Sequence, residues 1–137
     1  MRQINYIIIH CSATKAGQNF HASDIDRWHR ERGFSEIGYN VVVDLDGTVE
    51  PGRSEAKPGA HCKGHNADSI GICYIGGLDE NGKPADTRTE LQKAALAGLV
   101  AGYKQRFPNA KVVGHRDMPN VHKACPCFDA KEEYKNI

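Results

Sequence analysis

Two segments at opposite ends of the chain bring metal-binding and acid–base side chains to the ends of apolar runs. Near the C-terminus, Val113-Gly114-His115-Arg116-Asp117 is followed by His122-Lys123-Ala124-Cys125-Pro126-Cys127. Near the N-terminus, Ile7-Ile8-Ile9 leads into His10 and Cys11. Two imidazoles and one thiolate suit zinc in a catalytic site, where three protein ligands leave one position open to water. Such a water ionises near pH ~7 and supplies hydroxide at neutral pH. On residue type alone, Cys125 and Cys127 are equal candidates for the thiolate. The ligands lie far apart in sequence, so only the fold can bring them together.

Other side chains near these segments could act on a substrate. An ammonium such as Lys123, beside a metal, stabilises an oxyanion developing on a carbonyl. The phenol of Tyr39, after Gly38, is placed to hydrogen-bond a water or a tetrahedral intermediate. His61 and His65 lie in a Gly/Pro-rich stretch, and His61 is expected to touch substrate, since loops carry binding residues. Glu36, Glu50 and Glu55 are each candidate general bases, with no pattern to single one out. Cys11 or Cys73 could in principle act as a nucleophile, but neither has a protease signature around it. His21 and His29 are assigned to surface or helix packing, and His122 to a bystander position beside Lys123.

The elements that must position these groups follow from periodicity. Tyr6 to Ile9 is a short β-branched run, expected as a strand buried on both faces with His10 at its end. Ser23 with Asp26 gives a capping-box pattern for a first helix that places Ile25, Trp28 and His29 on one face and ends at Gly33. Tyr39 to Val43 is a second strand. Asp46-Gly47 marks a hairpin turn, and Thr48-Val49-Glu50 returns as a third strand. Residues 51–68 form a long loop, and Ser69 to Ile75 is the next strand. Thr89 with Gln92 caps the longest helix, whose Leu96, Leu99, Val100, Tyr103 and Phe107 recur at helical spacing before Pro108. Lys111 to Val113 is a last strand that delivers His115. Asp129 with Glu132 opens a short C-terminal helix. About five strands and three helices in this order predict an α/β sheet with helices on its faces, residues 1–137 forming one domain.

Composition narrows the function classes. The 137 residues include 18 Lys and Arg against 17 Asp and Glu, so no basic excess points to nucleic acid. No apolar run approaches membrane-spanning length, and no secretory leader is visible. Five cysteines cannot all pair within a monomer. Synthesis in a reducing cytosol is expected, with cysteines serving metal binding or catalysis before disulfides.

The segments IIIHCSAT, GYNVVVDLDGTVEPGR, GAHCKGHNADSIGICYIGG, VVGHRDM and KACPCFD, in that order, resemble the zinc-dependent N-acetylmuramoyl-L-alanine amidases. These include phage amidase-type lysozymes and share a fold with the animal peptidoglycan-recognition proteins. The resemblance covers about Asn5 to Tyr134. It implies a mixed central sheet with helices packed on it, and hydrolysis of the amide joining N-acetylmuramic acid to the L-alanine of the stem peptide. It implies Zn2+ held by His10, His115 and Cys125, which chooses Cys125 over Cys127. It implies catalytic roles for Tyr39 and Lys123, and places Arg53 and His61 near the substrate groove. The implied partner is peptidoglycan, with an RNA polymerase as a further partner by resemblance to the phage members. A monomer is expected, made in the cytoplasm by a phage or prophage and acting on the cell wall after release. The alternative is a non-catalytic recognition or partner-inhibiting module on the same fold. One departure stands out: Cys127 occupies a position where the phage protein has a small polar residue. It gives a metal a second thiolate and offers an oxidation partner to Cys11.

Overall fold

A β-branched apolar run has no polar face, so it is stable only when covered on both sides. Ile7, Ile8 and Ile9 are fully buried accordingly, and the rest of the sheet is assembled around them. The computed structural model describes residues 2–137. In chain order its elements are β1 (Tyr6–Cys11), β2 (Thr14–Lys15), α1 (Ala22–Glu31), β3 (Val41–Val43), β4 (Val49–Pro51), β5 (Ser69–Tyr74), β6 (Gly77–Leu78), α2 (Glu90–Arg106), β7 (Lys111–Gly114) and α3 (Ala130–Glu133). A single 3-10 turn, His115–Asp117, follows β7.

The main sheet has five strands in the order β4-β3-β5-β1-β7. β3, β5, β1 and β7 run parallel, and β4 is antiparallel at one edge. The sheet is therefore mixed, as expected. Alternation along each strand sends successive side chains to opposite faces. Ile7, Ile9, Val41, Val43, Ile70 and Ile72 meet Leu96, Val100 and Tyr103 of α2 in the largest core, which Ala130 and Tyr134 extend from α3 and its end. On the other face Val42, Cys73 and Ile75 pack with Ile25 of α1 and with Ile37. Ile8 and Val113 form a third cluster with Cys62 and Met118.

The cap of α2 forms as its sequence indicates: Gln92 N–H donates to Thr89 Oγ1 at 3.0 Å, and Gln92 Oε1 accepts from Thr89 N–H at 2.9 Å. Asp129 likewise accepts from Glu132 N–H at the start of α3. The start of α1 differs from expectation. His21 and not Ser23 is the capping residue, and the Asp24 carboxylate accepts the His21 N–H at 2.9 Å. Asp26 is drawn away by a tertiary contact, accepting from Ile37 N–H and Arg30 Nε at 2.8 Å each. The second strand is shorter than expected, beginning at Val41. Tyr39 and Asn40 still continue the hairpin, through Arg53 N–H to the Tyr39 carbonyl and Gly52 N–H to the Asn40 carbonyl, 2.8 Å each. A two-residue parallel pair, β2 with β6, lies in stretches read from sequence as loop or strand closure. Such short pairs carry no period of their own.

Leu96 has no exposed surface whereas Leu91 on the same helix is 60 % exposed. Leu96→Ala is expected to lower the unfolding free energy by about 2–5 kcal/mol. Leu91→Ala should change it by less than about 0.5 kcal/mol. Urea denaturation followed by circular dichroism measures both.

Candidate metal centre and cleft

Strand pairing brings the two histidines together. Ile9 is paired with Gly114 across β1 and β7, so the next residues, His10 and His115, emerge side by side with ring centroids 4.5 Å apart. His10 shares the face of Ile8, opposite the α2 core, by strand alternation. Cys125 reaches the same place through the loop after the 3-10 turn. Its Sγ lies 4.0 Å from His10 Nδ1, and one donor atom from each of His10, His115 and Cys125 falls within 4.8 Å of the others. The loop is held by Arg116 N–H donating to the Cys125 carbonyl at 2.8 Å and by the buried Tyr74 hydroxyl donating to the Pro126 carbonyl at 2.6 Å. Gly114 permits this approach, since a Cβ there would lie 2.6 Å from Pro126 Cδ. The Cys11 N–H points at Cys125 Sγ from 3.2 Å, a donor suited to an anionic sulfur.

A run of hydrogen bonds fixes which nitrogen of His10 is free. The Ser69 hydroxyl donates to the His65 carbonyl at 2.6 Å. Its one proton is thereby used, so Ser69 Oγ accepts from His61 Nε2–H at 3.2 Å. His61 Nδ1 then has no proton and accepts from His10 Nε2–H at 2.8 Å. His10 Nδ1 is left with its lone pair on the side of Cys125. Gly71 makes room for this arrangement, because a Cβ there would lie 2.7 Å from the His61 ring. Burial, then the neighbouring His61, His115 and Lys123, holds His10 well below the ordinary histidine range. Burial brings His61 down to about 3. Burial and Lys123 lower His115. All three are therefore neutral at pH 7, the form in which imidazole binds a metal. Two neutral imidazoles and a thiol with an N–H donor on its sulfur fit the donor chemistry of a catalytic zinc site.

The centre lies in a cleft of about 880 Å³. Tyr39 and Lys123 both line it. The Tyr39 ring is 5.0 Å from that of His10. Burial, and then Cys73, Cys125 and Cys11, hold its phenol well above the usual range, so it remains a donor. Arg32 and Phe34, just past α1, form part of the wall with His29. These were not singled out in the sequence, where the end of a helix gives no sign of what it faces. His29 is packed as expected, its Nδ1 accepting from Gly38 N–H at 2.9 Å.

Several candidates are placed elsewhere or otherwise engaged. Arg53 is turned inward, donating to the carbonyls of Glu36, Ile37 and Pro58, and does not line the cleft. His61 lines the cleft, but both its ring nitrogens are bonded within the protein. Glu36, Glu50 and Glu55 are outside the cleft, whose lining among the described residues has no carboxylate. Glu55 instead holds Arg106 at 2.6 Å and the Tyr103 hydroxyl at 2.9 Å. Cys73 is fully buried and Cys11 is 5 % exposed. Burial above all raises the Cys73 thiol, and the contact with Cys125 raises that of Cys11, which excludes both as ready nucleophiles. Cys127 is separated from the imidazoles: its Sγ faces the Gly77 carbonyl at 3.3 Å and Cys11 Sγ at 3.9 Å, and burial pushes its thiol up to about 12.

Residues 1–128 match the family described as N-acetylmuramoyl-L-alanine amidase. The chain is 41 % identical to an endolysin of Escherichia phage T7 over 91 % of this chain and 82 % of that protein. It is similar to the solved N-acetylmuramoyl-L-alanine amidase LysC from Clostridium intestinale, with a TM-score of 0.80, 28 % identity, and coverage of 96 % of this chain and 82 % of that one. It is also similar to a Drosophila PGRP-LB mutant solved in complex with tracheal cytotoxin, with a TM-score of 0.80, 25 % identity, and coverage of 99 % and 82 %.

The buried imidazoles make the metal-free protein acid-sensitive. Folded, His61 stays neutral down to about pH 3, whereas the unfolded chain takes up that proton near 6.5. Between those values the unfolded state binds more protons. Stability is therefore full above about pH 6.5 and falls as pH drops toward 3. Denaturant unfolding of the metal-free protein at pH 7, 5 and 4 should show this decline, with a shallower slope in His61→Gln.

Proposed function

The chain belongs to the N-acetylmuramoyl-L-alanine amidase family, and we propose that it works through a zinc ion held by His10, His115 and Cys125. The reaction is hydrolysis of the amide between N-acetylmuramic acid and L-alanine in peptidoglycan. The observation that carries the metal reading is the convergence of two neutral imidazoles and Cys125, with His10 Nδ1 freed toward the centre by His61. Bound zinc supplies Lewis acidity and lowers the pKa of water toward ~7.

The chain's own groups do the rest. Tyr39, kept protonated, donates a hydrogen bond to the carbonyl oxygen as it gains charge. Lys123, at the exposed rim, stabilises the same charge or delivers a proton to the departing L-alanine nitrogen. His61 and Ser69 orient His10. In this reading His61 serves the metal ligand in place of substrate, and Arg53 braces the loop after β4. Arg32, Lys63 and Lys123 line a cleft that has no acidic group among the described residues, which suits a stem peptide that carries carboxylates. Its likeness to phage endolysins supports a site of action at the cell wall, reached after release from the cytoplasm.

The test is the appearance of free L-alanine amino groups when the protein with one equivalent of zinc is incubated with purified sacculi. Chelation should abolish release and zinc should restore it. The absence of new amino groups from the zinc-loaded protein would sink the assignment. Lys123→Ala and Tyr39→Phe should each keep zinc and lose about 10²–10⁴-fold in turnover. Loss of zinc from either would show a structural role. His61→Gln should weaken zinc binding about 10–100-fold, measured by competition with a chromogenic chelator.

A further inference from the structure

At the far end of α1 a second group of donors is drawn together. His21 precedes the helix, Asp44 follows β3, and Glu50 lies in the middle of β4. His21 Nδ1 is 3.1 Å from Asp44 Oδ2 and 3.5 Å from Glu50 Oε2, and donor atoms from all three fall within 4.8 Å of one another. The ten residues of α1, about 15 Å of helix, separate this group from Arg32 at the cleft wall.

Three features point to a bound cation. Asp44 is 3 % exposed; its Oδ2 lies against His21, and the other oxygen of the same carboxylate, Oδ1, is buried without a hydrogen-bond partner. An unpartnered buried carboxylate oxygen is costly, and a coordinated cation removes that cost. The second feature is charge. Among the described residues, neither Asp44 nor Glu50 has a Lys or Arg within ion-pair distance; His21 is the one basic side chain paired with either, and the two carboxyl groups lie within hydrogen-bonding reach of each other. The third is spacing. Zinc bonds of about 2.0–2.2 Å in tetrahedral geometry put ligand atoms roughly 3.3–3.5 Å apart, close to the separations from His21 Nδ1.

The frame is already built. Asp44 N–H donates to the Thr48 carbonyl at 2.9 Å, which closes the hairpin. Glu50 Oε2 accepts from Ala22 N–H at 3.0 Å, which ties β4 to the helix. His21 is 44 % exposed on its side chain, so water can complete the coordination. An imidazole with two carboxylates favours a zinc-class ion over Ca2+ or Mg2+, which take oxygen shells.

We propose that His21, Asp44 and Glu50 form a second divalent-metal site of the zinc class, independent of the cleft, that fastens the start of α1 to the β3–β4 hairpin. Equilibrium dialysis against buffered zinc with elemental analysis tests it on the full chain. The wild type should bind two equivalents. His21→Ala should bind one, and the double variant His115→Ala/Cys125→Ser should also bind one. Adding His21→Ala to that double variant should abolish binding. A single equivalent in the wild type that His115→Ala/Cys125→Ser abolishes, or unchanged stoichiometry in His21→Ala, overturns the proposal; a single equivalent that only His21→Ala abolishes keeps it and overturns the cleft site instead. Glu50→Gln, which keeps His21 and the side-chain shape, should weaken the second equivalent at least tenfold, so the result does not hang on one variant folding. In His115→Ala/Cys125→Ser, zinc should also shift the ring 15N resonances of His21. Unmoved resonances, or equal displacement of zinc by Ca2+ or Mg2+ at the same concentration, count against the site.

Discussion

The parallel pairing of β1 with β7 is the constraint on which the rest depends. It sets Ile9 opposite Gly114, and so makes two histidines far apart in sequence emerge as neighbours. The pairing is strongly specified because β1 is buried on both faces. A slip of one residue would exchange the face of Ile7 and Ile9 with that of Ile8 and His10, placing an imidazole in the α2 core. The same register that completes the core therefore turns His10 toward His115 and Cys125. Gly114 adds a second requirement, since only a residue without a Cβ lets Pro126, and with it Cys125, close over the strand end.

Much of this was legible in the sequence because it rests on local period and local caps. The isoleucine run, the Asp46-Gly47 turn and the Thr89–Gln92 box each state their own structure. His10 and His115 were readable as strand-end residues. What was not legible depends on contacts between distant segments. The cap of α1 lies at His21, while Asp26 is engaged by Ile37 N–H beyond the helix and by Arg30 one turn on. The choice between Cys125 and Cys127 came only from resemblance; in the structure Cys127 turns to Gly77 and Cys11. Arg53 was placed near the substrate groove only by resemblance, and in the structure its guanidinium is taken up by the carbonyls of Glu36, Ile37 and Pro58. A possible signal for the role of His61 was Gly71, an interior strand glycine, which often marks close approach by another group.

The cleft divides its labour between a rigid floor and an accessible rim. His10, at 1 % exposure, and the half-buried Tyr39 belong to elements fixed by the sheet. Lys123 stands exposed on the loop that also brings Cys125. His10 and Tyr39 are thus held by the sheet and its hairpin, whereas Cys125 and Lys123 are carried by one loop.

The run from Ser69 through His61 to His10 ends on a main-chain carbonyl, which can only accept. Its direction cannot reverse, so the tautomer of His10 is set by a backbone carbonyl at residue 65, relayed through Ser69 and His61. A change in that loop would reach His10 Nδ1 through three successive hydrogen bonds.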